Sequence, residues 1–310
     1  MTETIQASIN RPETQSEAET LRNGAAPEVS VIIATRNRPR QLAALLASLA
    51  RQAGAGSFPW ELIVVDDASD ARERVRLERV LGRWEGAPVL FVPLEERGWP
   101  GRARNSGADR SRVAVLLFAD DDLVLDERAL AETRRLHLLH PEIEVLNGQL
   151  RKMRQDYYSE FWHHCYDAVF NARGPVTGPY RVRRLGGLVS IKRSVLERLH
   201  PLYDETLPAR EDFDLYLRLE AAGIAVYKDD RVFAYHDFRQ SWWSLLAQRI
   251  WYEKGEWALE RKYGADRLKT IYESEPAIPR KARFLPLYLS SHAARRLWRL
   301  KQQIMPEPSP

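Results

Sequence analysis

The sequence predicts an α/β fold, a mostly parallel sheet with helices on both faces. Short apolar runs typical of buried strands alternate with helical segments through the first half of the 310-residue chain. The clearest run is 113–119, where seven apolar residues precede three consecutive aspartates. Ligands bind beyond the carboxyl ends of the strands in such sheets, so we expect the site where these acids lie.

The predicted elements follow one another in a regular order as far as residue 146. The predicted strands are 29–34, 61–65, 89–92, 113–119 and 143–146, and the predicted helices are 39 to about 51, 71–84, 102–109 and 127–139. The second half is less regular, with strands predicted at 188–191 and 232–235 and helices at 193–199 and 210–222. From Ser241 onward the pattern is helical.

Three regions differ in composition. Residues 1–27 are polar and are predicted to be disordered, and residues 28–238 form the α/β domain. Residues 239–310 form a helical C-terminal extension, whose tail carries seven Lys or Arg and no acid between Arg280 and Lys301. This basic tail is expected to be solvated or partly docked, and peripheral contact with an anionic membrane is the open alternative.

The composition excludes several classes of protein. The single cysteine, Cys165, cannot form a disulfide within the chain or a cysteine-based metal site, which favours a cytoplasmic location. No stretch reaches the roughly 20 apolar residues that span a bilayer. The net charge of +4 is too diffuse to indicate binding of nucleic acid, so we expect no nucleic-acid partner.

The acids at 120–122 indicate a metal site. Adjacent carboxylates repel one another, and a hard divalent cation with oxygen ligands, Mn²⁺ or Mg²⁺, would relieve that repulsion and is commonly shared with substrate phosphates. Asp120 and Asp122 are the predicted ligands, and His236 is either a third ligand or a structural histidine. The competing interpretation of the acids is a solvated turn that caps the next helix.

Other polar residues follow predicted strands or begin predicted helices. Asp66 and Asp67 follow the second strand, where they would accept hydrogen bonds from a base or ribose or else cap a helix. Glu211, Asp212 and Asp214 begin a helix, where paired carboxylates suit general-base catalysis or only complement the helix dipole.

Two further groups complete the candidate site. The pair Gly186 and Gly187 permits close approach of the backbone to a substrate, or forms a plain turn. Arg104 and Asn105, on a predicted helix, would meet phosphates or order the acids, or else lie on a solvated face.

Five segments in order resemble the family 2 glycosyltransferases of the GT-A fold. They are 29–38, 62–69, 101–107, 118–122, and the pair 186–187 with 210–215. The resemblance covers residues 28–260 and implies a Rossmann-like sheet. It also implies an inverting transfer of a sugar from a nucleotide-diphosphate donor, most often a UDP sugar, to an acceptor.

The resemblance assigns a role to each candidate residue. Donor binding falls to Ala34, Thr35, Arg36, Asp66, Asp67, Arg104, Asn105, Asp120 and Asp121; the metal to Asp120, Asp122 and His236; catalysis to Asp212 as general base with Glu211; and substrate contacts to Gly186, Gly187 and Asp214. The acceptor stays open between a glycan, a lipid-linked sugar, a peptide and a small molecule.

Two other functions compete with transfer. The run 120–124 fits the motif of haloacid-dehalogenase-like phosphatases, in which Asp120 would be the nucleophile. The fold could also bind a nucleotide sugar without turnover. The phosphatase motif normally follows the first strand of its sheet, whereas three predicted strands precede this run. The intact acids at 120, 122 and 212 favour a transferase over a protein that only binds.

Overall fold

The structure is a computed structural model that describes residues 29–54, 58–170, 178–272 and 282–304. The predicted disorder of residues 1–27 lies outside the described residues. The described elements confirm an α/β protein with a central sheet, flanking helices and helices at the C-terminal end.

The described residues form nine strands and ten α-helices. The strands are β1 (Val29–Thr35), β2 (Trp60–Asp66), β3 (Val89–Pro93), β4 (Val115–Asp120), β5 (Leu123–Leu125), β6 (Val145–Lys152), β7 (Tyr180–Val182), β8 (Leu188–Lys192) and β9 (Val226–His236). The helices are α1 (Pro39–Leu49), α2 (Ala71–Leu81), α3 (Trp99–Arg110), α4 (Ala129–Leu139), α5 (Tyr157–Phe170), α6 (Arg193–Arg198), α7 (Glu211–Ala221), α8 (Trp242–Tyr263), α9 (Ala265–Tyr272) and α10 (Leu285–Ile304).

The strands form one sheet in the order β3-β2-β1-β4-β8-β6-β9-β5, and β7 pairs with β9. The first four strands are parallel, as predicted. The prediction of a mostly parallel sheet is confirmed, because six of the nine described strands run in one direction. Strand β8 lies antiparallel between β4 and β6, and β5 and β7 both run antiparallel to β9.

Residue alternation in the central strands explains why both faces of the sheet carry helices. In β1, Val31 and Ile33 join one core with the leucines of α1, while Ile32 joins the other core with α3 and α7. A strand that is apolar at every position must be covered on both sides. The continuous apolar runs in the sequence are therefore a consequence of this two-layer burial.

Three elements escaped the sequence prediction. Strands β5 and β7 have only three residues each, and helix α5 lies in an aromatic and basic segment without a clear polar face. Strand β9 begins six residues earlier than predicted, because its first half, which contains Lys228 and Asp229, is polar and yet buried. A search for apolar runs cannot detect a strand whose residues are polar at these positions.

The helices after β9 are part of the same folded unit. Leu259 of α8 and Leu268 of α9 join the core that contains α7, and Lys262 donates to Asp214 Oδ1 at 2.6 Å. Gly255 allows this close approach, because a Cβ atom there would lie 2.3 Å from the carbonyl oxygen of Ala209. The second half of α8 is therefore packed on the α/β domain.

The basic tail is partly docked. Arg295 of α10 pairs with Glu253 and Glu256 of α8, and Arg299 pairs with Glu253 and Glu260. Glu253 has no exposed surface, so α10 covers it and supplies its counter-charge. Arg295 and Arg299 thus form ion pairs within the protein. Among the described residues, no helix is long and apolar enough to cross a membrane.

We predict that Gly107→Ala destabilises the protein by wedging α3 away from β1. A Cβ atom at position 107 would lie 2.5 Å from Cγ2 of Ile32, a fully buried side chain. Overpacking costs about 1–3 kcal/mol, and the better helix propensity of alanine offsets only about 1 kcal/mol. The measurement is the midpoint of urea unfolding. The control is Ser106→Ala on the same helix, and an unchanged midpoint for Gly107→Ala would contradict the close contact.

Candidate active site

The strand directions bring the candidate residues to one edge of the sheet. The carboxyl ends of β1, β2 and β4 share this edge because the three strands are parallel. Strand β8 runs antiparallel to β4 and therefore begins there, whereas β9, which runs parallel to β4 by way of β6 and β8, ends there. The acids after β4, the glycines before β8 and the histidine at the end of β9 consequently lie side by side.

Arg38 supplies the first counter-charge to the acids after β4. Its Nη1 lies 2.6 Å from Asp121 Oδ1 and 3.0 Å from Asp122 Oδ2. Thr35 donates to the other oxygen of Asp121 at 2.8 Å. Burial raises the pKa of Asp121 to about 6, against the opposing effect of Arg38. Asp121 thus has both oxygens engaged within the protein and anchors the β1 turn to the β4 turn.

Asp122 faces His236. Its Oδ1 lies 3.1 Å from His236 Nε2. Burial alone would raise the pKa of Asp122, but His236 and Arg38 outweigh it and hold that pKa below the usual range. Burial likewise lowers the pKa of His236, but Asp122 overcomes this effect and raises it. Asp122 and His236 thus face each other at hydrogen-bond distance, and both side chains are good metal ligands.

The spacing of this pair fits a divalent cation. Neighbouring ligands of an octahedral ion with bonds of about 2.1 Å lie about 3 Å apart, close to the separation of Asp122 Oδ1 and His236 Nε2. Within the described ranges, no group of three or more His, Cys, Asp or Glu side chains is arranged to hold a metal. Two protein ligands would therefore leave most coordination positions to a diphosphate and water.

Arg104 joins the acids after β4 to the acids at the start of α7. Its Nη2 donates to Asp120 Oδ1 at 2.6 Å, and its Nη1 donates to Glu211 Oε1 at 2.5 Å. Burial opposes the charge of this guanidinium, but Asp120 and Glu211 together raise its pKa well above the usual value. One side chain on α3 thus fixes the distance between the end of β4 and the start of α7.

Asp212 is next to this bridge and is half-buried. Burial and the neighbouring Glu211 raise its pKa to about 6, while Arg210 and Arg104 oppose the shift. Its Oδ1 accepts a hydrogen bond from the backbone N–H of Phe213 at 2.8 Å. A carboxylate whose pKa is near neutral can both lose and accept a proton at ordinary pH, as a general base must.

The residues predicted for the nucleotide lie at the ends of β1 and β2. Asp66 is fully buried and binds Arg74 and the N–H of Ser69, so it orders the β2–α2 turn. Asp67 accepts from the N–H of Gly98 at 2.6 Å. Arg36 donates to the carbonyl of Ala68, and Ala34 is half-buried at the end of β1. Asp67 and Arg36 therefore border the same cleft, whereas Asp66 supports its wall.

Three predicted contacts need correction. Asp214 has no exposed surface and its Oδ1 accepts from Lys262 and Tyr263, so it ties α7 to α8 and does not reach a substrate. Gly187 makes its close approach to Asp120, because a Cβ atom there would lie 2.2 Å from Asp120 Oδ2. Gly186 donates its N–H to Asn147 Oδ1. Gly187 thus shapes the acid turn, and Gly186 is held by β6.

Asn105 also has a different role from the one predicted. Its amide donates to the carbonyl of Tyr203 and to Glu205, and its Oδ1 accepts from the N–H of Tyr203. All three hydrogen bonds hold the 203–205 loop against α3, and Asn105 is buried beneath it. The residue positions the neighbouring Arg104 and does not itself face the cleft.

The sequence reading missed a cavity beside the metal pair. A cavity of about 280 Å³ is lined by Arg239, Ser244, Ala247, Gln248 and Trp251. Arg239 feels the charges of Arg38 and Asp122, and burial lowers its pKa. It makes no hydrogen bond or ion pair with any described residue. The Oε1 atom of Gln248 is buried without a hydrogen-bond partner among those residues. An unpaired donor and an unpaired acceptor thus border one cavity.

Arg38 was missed as well. Acids that repel one another require an opposing charge, and the turn after β1 offers two arginines, of which the sequence reading chose Arg36 for the site. The signal that could have identified Arg38 is its place directly before α1, level with the β4 turn.

Curated relatives match part of the chain. The uncharacterized glycosyltransferase YwdF of Bacillus subtilis is 27% identical over 124 residues, which are 39% of this chain and 43% of the relative. The dodecaprenyl-phosphate galacturonate synthase of Rhizobium johnstonii is 30% identical over 131 residues, which are 42% and 37% of the two chains. The chain thus matches less than half the length of these relatives.

The fold is shared with a solved glycosyltransferase. The mannosyltransferase PcManGT from Pyrobaculum calidifontis, solved in complex with GDP-Man and Mn²⁺, superposes with a TM-score of 0.57 over 94% of this chain and 81% of its own. The sequence identity is 16%, so this likeness shows the GT-A fold alone.

The family model for glycosyl transferase family 2 matches residues 30–193, a span that begins in β1, contains the acid turn after β4 and ends after β8. The chain therefore belongs to glycosyl transferase family 2 and has the GT-A fold.

Proposed function

We propose that the protein is a metal-dependent inverting glycosyltransferase that uses a nucleotide-diphosphate sugar and Asp212 as its general base. The observation that carries this proposal is the bridge of Arg104 between Asp120 and Glu211. It holds the acids after β4 and the carboxylate at the start of α7 within the span of a single guanidinium. Such an arrangement can serve a leaving group on one side and an attacking nucleophile on the other.

The donor would lie across the ends of β1, β2 and β4. Asp67 and Arg36 border the part of the cleft that suits a nucleobase and ribose, and Thr35 lies behind the acid turn. UDP is the expected nucleotide, and GDP is the alternative that the bound donor of PcManGT indicates. Arg38 and Arg104 place two guanidinium groups near the expected diphosphate.

Asp122 and His236 are the residues that would hold Mn²⁺ or Mg²⁺, with Asp120 as a further proposed ligand. The bound cation would supply Lewis-acid stabilisation of the diphosphate leaving group. Oδ2 of Asp120 lies beside Gly187, and its Oδ1 accepts a hydrogen bond from Arg104. Binding of the cation by Asp120 therefore depends on these two contacts. Deprotonation of His236 would accompany metal binding, since only the neutral imidazole is a ligand.

The acceptor would approach from the side of α7 and α8. Asp212 would take the proton of the attacking hydroxyl, and Glu211 would hold Arg104 and keep the pKa of Asp212 raised. The cavity lined by Arg239, Gln248 and Trp251 offers an aromatic face and polar groups for an acceptor sugar or its phosphate. The relative from Rhizobium makes a lipid-linked acceptor the first to test, ahead of glycans, peptides and small molecules.

The remaining expectations from the sequence stay predictions. The division at residue 238 and the cytoplasmic location are proposals that rest on composition. The phosphatase alternative loses its support, because the family match includes the acid turn in a glycosyltransferase domain. A binding protein without turnover is the alternative that the next experiment tests.

We predict that Asp212→Asn abolishes transfer and stabilises the fold. Loss of the base should lower the transfer rate roughly 10²–10⁴-fold. The pKa of Asp212 rises from 3.8 to about 6 on folding. Ionisation of Asp212 therefore lowers the stability of the fold progressively between about pH 4 and pH 6, by its full amount above pH 6 and not at all below about pH 4. The melting temperature of Asp212→Asn should therefore exceed that of the wild type near pH 8, and the difference should vanish near pH 4.

The matched control is Glu220→Gln, which removes one carboxylate from the exposed end of the same helix. It should leave transfer unchanged. Wild-type transfer should also decline as the pH falls through about 6, because the base becomes protonated. Retention of full activity by Asp212→Asn would exclude the base assignment, and donor binding without any turnover by the wild type would favour the binding protein.

We predict that a nucleoside diphosphate stabilises the protein only together with Mn²⁺. At a ligand concentration of 100 times Kd, binding adds about 2.7 kcal/mol to the free energy of unfolding. Thermal-shift curves with UDP or GDP, each with and without Mn²⁺, measure this effect. Asp122→Asn and His236→Ala should lose it, whereas Asp237→Asn, which removes a half-buried acid bound to Arg154, should keep it. An equal shift without the cation would contradict a metal-bridged donor.

A further inference from the structure

Helix α10 presents an apolar face to solvent. Five large apolar side chains are exposed along it: Leu285 (41%), Leu289 (57%), Leu297 (67%), Leu300 (52%) and Ile304 (77%). At 3.6 residues per turn they fall within an arc of about 120° along a helix of about 30 Å. No described residue covers this stripe. Scattered exposed leucines are ordinary, but a continuous stripe on one helix face indicates an interaction surface.

The opposite face of α10 holds the helix rigidly on the protein. Leu287, Ser291 and Gln302 are buried there, and Arg295 and Arg299 bind the acids of α8. Phe284, just before α10, packs with Phe161 of α5 and Leu245 of α8. The exposed stripe therefore belongs to a helix whose position is already determined, and it is not a poorly placed core face.

The charges beside the stripe decide between two occupants. Helix α10 contains no acidic side chain, and the exposed Arg296 lies within the arc of the stripe, between Leu289 and Leu297 along the helix. Two copies packed face to face would bring their Arg296 side chains together without an acid from either helix. A surface of anionic lipid headgroups complements them, and its acyl region accepts the leucines.

We propose that α10 docks the protein on an anionic membrane surface, with the stripe 285–304 at the boundary of headgroups and acyl chains. Arg295 and Arg299, which composition alone assigned to membrane contact, are paired with acids of α8. The apolar stripe and Arg296 therefore make the contact. This docking requires neither the donor nor the acceptor, and it stands independently of the proposed transfer reaction. It would present α8 and its cavity close to membrane-borne acceptors.

Cosedimentation of the full chain with vesicles tests this proposal without any measurement of transfer. We expect binding to equimolar phosphatidylglycerol and phosphatidylcholine, reduced by high salt, and little binding to phosphatidylcholine alone. The variant Leu297→Glu/Leu300→Glu should bind at least about tenfold more weakly, because it places two carboxylates in the stripe. Arg296→Glu should weaken binding to the anionic vesicles with less effect from salt.

The matched control is Val75→Glu/Leu90→Glu, which changes two apolar side chains of similar exposure on α2 and β3. It should bind like the wild type. Equal vesicle binding by both double variants would overturn the proposal. So would a concentration-dependent dimer in sedimentation velocity that Leu297→Glu/Leu300→Glu abolishes, which would identify a second copy as the occupant. A lower melting temperature of that variant in solution would instead identify a segment of the same chain as the cover.

Discussion

The two ion pairs of Arg104 are the interaction on which the rest of the site depends. Asp120 and Glu211 come from elements far apart in sequence, and without a cation between them their charges would repel. The position of Arg104 is in turn set by α3, which the glycines at 101 and 107 allow to lie against the 203–205 loop and β1. A buried cation between two acids contributes little net stability, so its value lies in the geometry that it imposes.

The edge of the sheet was predictable from the sequence because it depends on local patterns. Apolar runs predict strands, parallel strands end at one edge, and acids directly after them must meet there, as Asp67 and Asp120–Asp122 do. The order of the later strands was not predictable, because β8, a strand of five residues, pairs with β4 and β6 through contacts that no local pattern encodes. The positions of the three antiparallel strands within the mostly parallel sheet could not be read from the sequence for this reason.

Individual side chains were harder to assign than the edge itself. Asp214 follows Asp212 by two residues, yet it is buried and accepts hydrogen bonds from Lys262 and Tyr263, which lie almost 50 positions away. The glycine pair suggested space for a substrate, whereas the space at Gly187 is filled by Asp120. In both cases the residue type was informative about a close contact, and only the tertiary structure identifies the partner.

Glu256 connects the C-terminal helices to the proposed base. One of its oxygens accepts from Arg210, the residue before the α7 acids, and the other binds Arg295 of α10. Arg210 adopts a left-handed backbone conformation with φ of 65°, lies over the ring of Tyr252 and opposes the rise in the pKa of Asp212 that burial and Glu211 cause. A shift of α10 relative to α8 would therefore act on the guanidinium beside Asp212. Helix α10, with one face on Glu253 and Glu256 and the other toward solvent, thus links the outer surface of the protein to Asp212.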